Sequence, residues 1–175
     1  RVAAEAPAVQ FEAEQVELVK EYTALMVTKV VAMVGETLSK LAPASLQIGE
    51  GKATFAVNRR NNKEAEIPSL LATGPPLVGP VDHSVPIMTV TRPNGQLEAI
   101  LFGYACHPTT LSFLTWCGDY PGFAQLDLPK SHPGATAMFV NTCGGAQHPL
   151  PRRRAYLCRT YGPLLDGGFG APLRS

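Results

Sequence analysis

The segment Val85–His107, VPIMTVTRPNGQLEAILFGYACH, constrains the fold more than any other stretch of the chain. Two β-rich runs flank Arg92-Pro93-Asn94-Gly95. Pro-Asn-Gly between such runs is a strong turn signal, because proline presets φ and Asn-Gly accepts left-handed backbone. The spacing therefore predicts a hairpin. Its second strand, Leu97 to Cys106, becomes nearly all apolar, as a central strand covered on both faces must be. His107 and Pro108 end it, since proline cannot donate to a ladder. Downstream, GATAMFVNTCGG reads as another buried strand, Ala135 to Val140, closed by a glycine turn. A loop and a helix over Tyr120–Leu128 lie between the two. Strands alternating with helices predict an α/β fold, a mixed sheet with helices packed on it.

The clearest helix runs from Phe11 to Leu41. Val16, Val19, Ala24, Val27, Val30, Val31, Val34 and Leu38 recur at three- and four-residue spacing, and Leu18, Tyr22, Leu25, Met26 and Met33 widen the stripe. Glu12, Glu14 and Glu17 complement the dipole of its first turns, and Pro43 closes it. A stripe this wide predicts burial against the sheet as scaffold, in one core with the strand around Ile100. ASLQIGEGKATFAVNRRNN then reads as one or two strands broken at Gly49 and Gly51. Lys63 to Val81, rich in proline and glycine, reads as a long loop.

The composition suits a packed core: 45% of the 175 residues are apolar and 17% charged. A net charge of +1 gives no footprint for nucleic acid or an acidic membrane surface. The apolar stretches are too short or too interrupted to cross a membrane as a helix, and RVAAEAPAVQ has no apolar signal core. Cys106, Cys117, Cys143 and Cys158 form no CxxC pair and no zinc-finger quartet. Scattered thiols in apolar runs read as small core residues.

Chemistry gathers where the strands end. Ligands of such sheets collect beyond the carboxyl ends of the strands. One end carries His107; the other carries Asn141-Thr142-Cys143-Gly144-Gly145, whose backbone N–H groups can face an anion or oxyanion. His107 has two readings, a hydrogen-bonded residue at a strand end or a metal ligand or proton-transfer group. His148, just past the Gly-Gly turn, is the second candidate. His83 and His132, beside turn residues, read as exposed and inert. Asp119 opens a helix, as a cap, as a carboxylate orienting a ligand, or as an acceptor for substrate. Asn58-Arg59-Arg60 ends a strand, with Arg59 either solvated or recognising a polar or anionic substrate group. Cys143 at its tight turn is a rival nucleophile that would need a base such as His107, but its apolar flanks argue against that role.

The order NRR … GPVDHSVPIMTV … NGQLEAILFGYACHPTTL … CGDYPGFAQ … PGATAMFVNTCGGAQHPLPR resembles the neutral/alkaline non-lysosomal ceramidase family, nearest its divergent bacterial branch of exported proteins. The resemblance covers roughly residues 12 to 165 and lies in the order and spacing of the motifs. It implies a zinc-dependent hydrolase of the N-acyl bond of ceramide or a related N-acyl lipid, exported from the cell, with a small-molecule or lipid substrate. His107 in CHPTT matches the family's second zinc-binding histidine motif. The upstream histidine motif and the later glutamate and tyrosine are expected outside this chain, which would form part of a single catalytic domain truncated at both ends. Gly118-Asp119-Tyr120-Pro121-Gly122-Phe123-Ala124 matches a further motif. At Gly145-Ala146-Gln147-His148-Pro149-Leu150, Ala146 replaces the family aspartate and His148 its proposed active serine. The divergent branch matches Gln147, Pro149, Pro151 and Arg152 better. The reading of the residues and the resemblance together give His107 to metal, His148 to catalysis, and Asp119, Gly144, Gly145 and Arg59 to substrate. The alternatives are a degenerate ceramidase-like domain that binds a lipid or glycan without turnover, and a hydrolase of another amide or ester. The Gly-rich tail after the YGPLLD segment matches nothing in the family.

Overall fold

The computed structural model describes residues 12–166. Phe11, where the first helix was expected to start, and the Gly-rich tail lie outside them. The chain divides into two compact units with the boundary between Ala42 and Pro43.

The first unit holds helix α1, Ala13–Ser39. A capping box opens it: the Glu12 N–H donates to Gln15 Oε1 at 3.1 Å, and the Glu12 side chain returns the bond. Glu17–Lys20 and Glu36–Lys40 pair along its surface. No residue of α1 is buried, and Val30 is 48% exposed. Among the described residues the helix's own unit holds no sheet for its apolar side to pack on. An apolar period of three to four dictates a helix with an apolar side, but does not specify what covers that side.

The second unit contains strands β1 (Ser45–Lys52), β2 (Ala56–Asn58), β3 (Ser84–Thr91), β4 (Leu97–Tyr104), β5 (Thr136–Asn141) and β6 (Gln147–Pro149), with helices α2 (Ile67–Thr73), α3 (Asp119–Ser131) and α4 (Ala155–Asp166). The main sheet runs β1-β3-β4-β5; its first two pairings are antiparallel and β4–β5 is parallel. The predicted hairpin is β3–β4, its turn closed by the Gly95 N–H on the Arg92 carbonyl at 2.9 Å. A parallel neighbour needs a long crossover, and α3 lies in that connection. The mixed α/β sheet read from the sequence is thus present.

Three details differ from the sequence reading. Strand β1 is continuous through Gly49 and Gly51 because eight residues pair with β3, and a full ladder outweighs weak local propensity. The stretch expected to be a loop carries α2, started by Pro68 in its first turn. Strand β2 leaves the main sheet to pair with the three-residue β6.

Alternation along the strands places Val85, Ile87, Ile100, Phe102, Tyr104 and Ala137 in the core, with Tyr120, Ala124 and Leu128 of α3 and Leu157, Cys158 and Leu165 of α4. Phe55 is a hub, its ring 4.4 Å from Tyr161, 4.8 Å from Tyr104 and 5.1 Å from Tyr120. Each phenol finds a carbonyl: Tyr104 donates to Ala53 at 2.7 Å, Tyr120 to Cys106 at 2.6 Å and Tyr161 to Pro151 at 2.6 Å. Rings of this size supply burial and their hydroxyls escape the cost of an unmade bond.

Candidate active site

The parallel pairing of β4 and β5 brings both carboxyl ends to one edge of the sheet. Tyr104 is level with Asn141, so the residues that follow, His107 on one strand and the Gly144-Gly145 turn on the other, are neighbours. Gly144 is where they touch. A Cβ there would lie 2.8 Å from Cys106 N and 3.1 Å from two more backbone atoms, so only glycine fits between them. Its N–H is used within the turn, donating to the Thr142 carbonyl at 2.7 Å. Gly145 is different: exposed, with nothing within 4 Å of an added Cβ.

After the turn the chain comes back as β6. The His107 N–H donates to the Gln147 carbonyl at 3.0 Å. This places the rings of His107 and His148 with centroids 5.4 Å apart, edge to face. Opposite His148 in the β2–β6 pair is Val57, and two residues further along Arg59 donates its backbone N–H to the Ala146 carbonyl at 2.9 Å. Its Nη1 then reaches His148 Nε2 at 3.1 Å. A guanidinium can only donate, so Nε2 accepts and the proton of the neutral ring is on Nδ1. Burial, with the positive charges of Arg152 and Arg59, lowers the His148 pKa to about 4. At neutral pH the ring is therefore uncharged.

Asp119 acts on the loop that follows His107. It is buried, with φ at +52°. Its carboxylate accepts the N–H groups of Thr110 at 3.2 Å, Leu111 at 2.9 Å and Tyr120 at 2.8 Å. The loop after His107 is thereby tied to the start of α3. Arg152 sits beyond His148 and is clamped by Glu64, whose pKa it lowers through their hydrogen bond; Arg153 reaches the same carboxylate at 3.2 Å.

The structure thus brings His107, His148, Arg59 and Gly144 together, with Gly145 next in the turn and Asp119 holding the loop that follows His107. His83, expected to be exposed, is half-buried, its Nε2 3.0 Å from the Ala56 carbonyl. His132 is also half-buried. All four cysteines are free thiols. Burial pushes Cys106 and Cys158 up, the latter to about 12, so both stay protonated and unreactive. Cys143 is exposed. Sequence reading passed over Glu64 and Arg153 and met Arg152 only as a motif match; Glu64 and Arg152, 88 positions apart, carry no local signal of pairing. Among the described residues no three His, Cys, Asp or Glu side chains gather in a metal-binding group, and no helix is long and apolar enough to cross a membrane.

No protein-family model matches the sequence, and no curated protein matches it. The fold is similar to the crystal structure of the neutral ceramidase from Pseudomonas aeruginosa, with a TM-score of 0.59 and 19% identity over 80% of this chain and 24% of that one. It is similar as well to a ceramidase complexed with C2, with a TM-score of 0.56 and 20% identity over 73% of this chain and 22% of that one. The chain therefore has the fold of part of a ceramidase, as the order of its motifs led one to expect. It spans about a quarter of the length of the ceramidases it matches.

Proposed function

We propose that this chain is part of the single catalytic domain of an exported, ceramidase-like hydrolase that cleaves an N-acyl bond, in ceramide or a related N-acyl lipid. The observation that carries the reading is the meeting of His107, His148 and Arg59 at the carboxyl ends of two parallel strands, with centroids of the two imidazoles 5.4 Å apart. Ala146 and His148 in place of the family's aspartate and serine keep a second reading open, a binding domain without turnover.

A catalytic zinc site takes three protein ligands. Among the described residues His107 fits as one, and no third donor stands by the histidine pair, so the rest would come from elsewhere in the protein. Zinc, when bound, lowers the pKa of a water and polarises a carbonyl. The residues of this chain contribute the remainder. Asp119 holds the loop that presents His107. Gly144 lets the strand ends close, and Gly145 leaves backbone exposed for substrate. With Nε2 held by Arg59, His148 offers its Nδ1–H, a neutral donor suited to a carbonyl oxygen that gains charge. Arg59 both fixes that tautomer and binds substrate.

The test is hydrolysis of a panel of N-acyl amides and esters by the protein of the whole reading frame, supplied with zinc, with and without a chelator. Chelator-sensitive release of fatty acid is the expected result. Zinc-replete protein that binds lipid and releases nothing would overturn the hydrolase in favour of the binding domain.

A further inference from the structure

The proposed site makes no use of the tip of the loop that joins β4 to α3. Residues 108–118, PTTLSFLTWCG, carry no charged side chain. The stem of this loop is held from two sides. Asp119 accepts the N–H groups of Thr110 and Leu111, and the Arg153 N–H donates to the Thr110 carbonyl at 2.5 Å. The tip stands in solvent: Phe113 is half exposed, and Leu114 and Trp116 are fully exposed. Single exposed apolar side chains are ordinary, but these three fall within four positions of one uncharged loop. Trp116 is the chain's only tryptophan, whereas the rings of Phe55, Tyr104, Tyr120 and Tyr161 lie in the core.

Three consecutive arginines stand beside the stem. Glu64 pairs with Arg152 and Arg153, and Arg154 is exposed, so positive charge is left over next to the loop. The net charge of +1 over the whole chain conceals this local excess. An apolar tip with basic groups at its base has the chemistry of a lipid interface. Tryptophan favours the depth of the headgroups. Each arginine near an anionic leaflet adds attraction, and a tip without charge carries no ion toward the hydrocarbon. The irregular backbone of the loop suits that depth and none greater, because water and headgroups there can meet its N–H and C=O groups.

We propose that Phe113, Leu114 and Trp116 insert into the interface of an anionic lipid surface, with Arg153 and Arg154 on its headgroups. The loop runs from His107 to Asp119, so docking sets the strand ends against the surface that holds a lipid substrate. The inference goes beyond the hydrolase reading and needs no turnover.

Trp116 reports on its own contact, since no other tryptophan contributes to the emission of the 175-residue chain. Its fluorescence would be titrated with vesicles of phosphatidylcholine, with and without phosphatidylglycerol, and with lipids brominated on their acyl chains. The expected result is a solvated emission that moves to shorter wavelength on anionic vesicles and is quenched by the bromines. Leu114→Ser, checked for folding by near-ultraviolet circular dichroism of the tyrosine cluster, should weaken binding about tenfold. Arg153→Gln combined with Arg154→Gln should remove about tenfold of affinity from anionic vesicles and little from phosphatidylcholine alone. Vesicle sedimentation of the protein of the whole reading frame should show the same loss in Leu114→Ser. Absence of vesicle binding, binding that leaves the Trp116 emission unmoved, or binding by the whole protein that survives Leu114→Ser overturns the proposal. So does an emission already shifted and shielded from iodide without lipid, which assigns the loop to a protein contact. Each of these leaves the hydrolase reading to its own assay.

Discussion

Gly144→Ala is the substitution that most sharply separates a site built by close strand ends from a merely flexible turn. The added methyl would meet Cys106 N at 2.8 Å and the carbonyl carbons of Ala105 and Cys106 at 3.1 Å. Ordinary carbon contacts begin near 3.5 Å, so several tenths of an ångström must be found. The obstruction is backbone, paired through its neighbours to β6, and cannot rotate away. Gly144 does not have a left-handed φ, so the cost is steric rather than torsional. Overpacking of this kind costs about 1–3 kcal/mol. Gly145→Ala is the control one residue away: nothing lies within 4 Å of its Cβ and its φ is not left-handed either. It should change stability by less than about 0.5 kcal/mol. Urea unfolding followed through the near-ultraviolet signal of the tyrosine cluster reports on the unit that contains both. Equal losses in the two variants, or none in Gly144→Ala, would show that the strand ends do not meet as described.

Two further expectations concern the fold. Ile100 is fully buried at the centre of the sheet, and Ile100→Ala should cost about 2–5 kcal/mol by the same unfolding measurement; a loss below about 0.5 kcal/mol would mean that β4 is not central. Arg152 lowers the pKa of Glu64 from its ordinary 4.5. A carboxyl with a depressed folded pKa stabilises the fold above its unfolded pKa and loses that contribution as pH falls through the folded value. Native protein should therefore lose stability below about pH 4.5 more steeply than Glu64→Gln; parallel acid profiles would show the ion pair to be inert.

What the sequence revealed and what it hid divide along local and non-local physics. The hairpin, the helix at Tyr120 and the strand at Ala135 were legible because turn chemistry and apolar period are local. Topology then needed little more, since two buried strands separated by a helix invite a parallel pair, which is why His107 and the Gly-Gly turn could be placed at one edge. The period of α1 specified a helix with an apolar side but not what covers that side. Strand β6 was invisible: Gln147-His148-Pro149 has no strand character of its own and pairs only because Ala56-Val57-Asn58 lies opposite. With β6 hidden, the contact of Arg59 with His148, 89 positions away, was hidden too, and so was the consequence that the ring's free donor is Nδ1. Asp119 was legible as a helix start, but its service to Thr110 and Leu111 depends on a φ of +52° that no propensity suggests.

The central claim is that His107 and His148 serve one hydrolytic site, and a double-mutant cycle tests it most directly. Fatty-acid release from an N-acyl amide would be measured in single turnovers for the zinc-supplied protein of the whole reading frame, for His107→Ala, for His148→Ala and for both together. Loss of a donor aimed at developing charge costs about 10²–10³ in rate, and residues that act as a unit are strongly non-additive. Each single variant should lose at least about a hundredfold, and the double variant should be little worse than the poorer single one. Losses that multiply, or a His148→Ala variant as fast as the native protein, would contradict the claim.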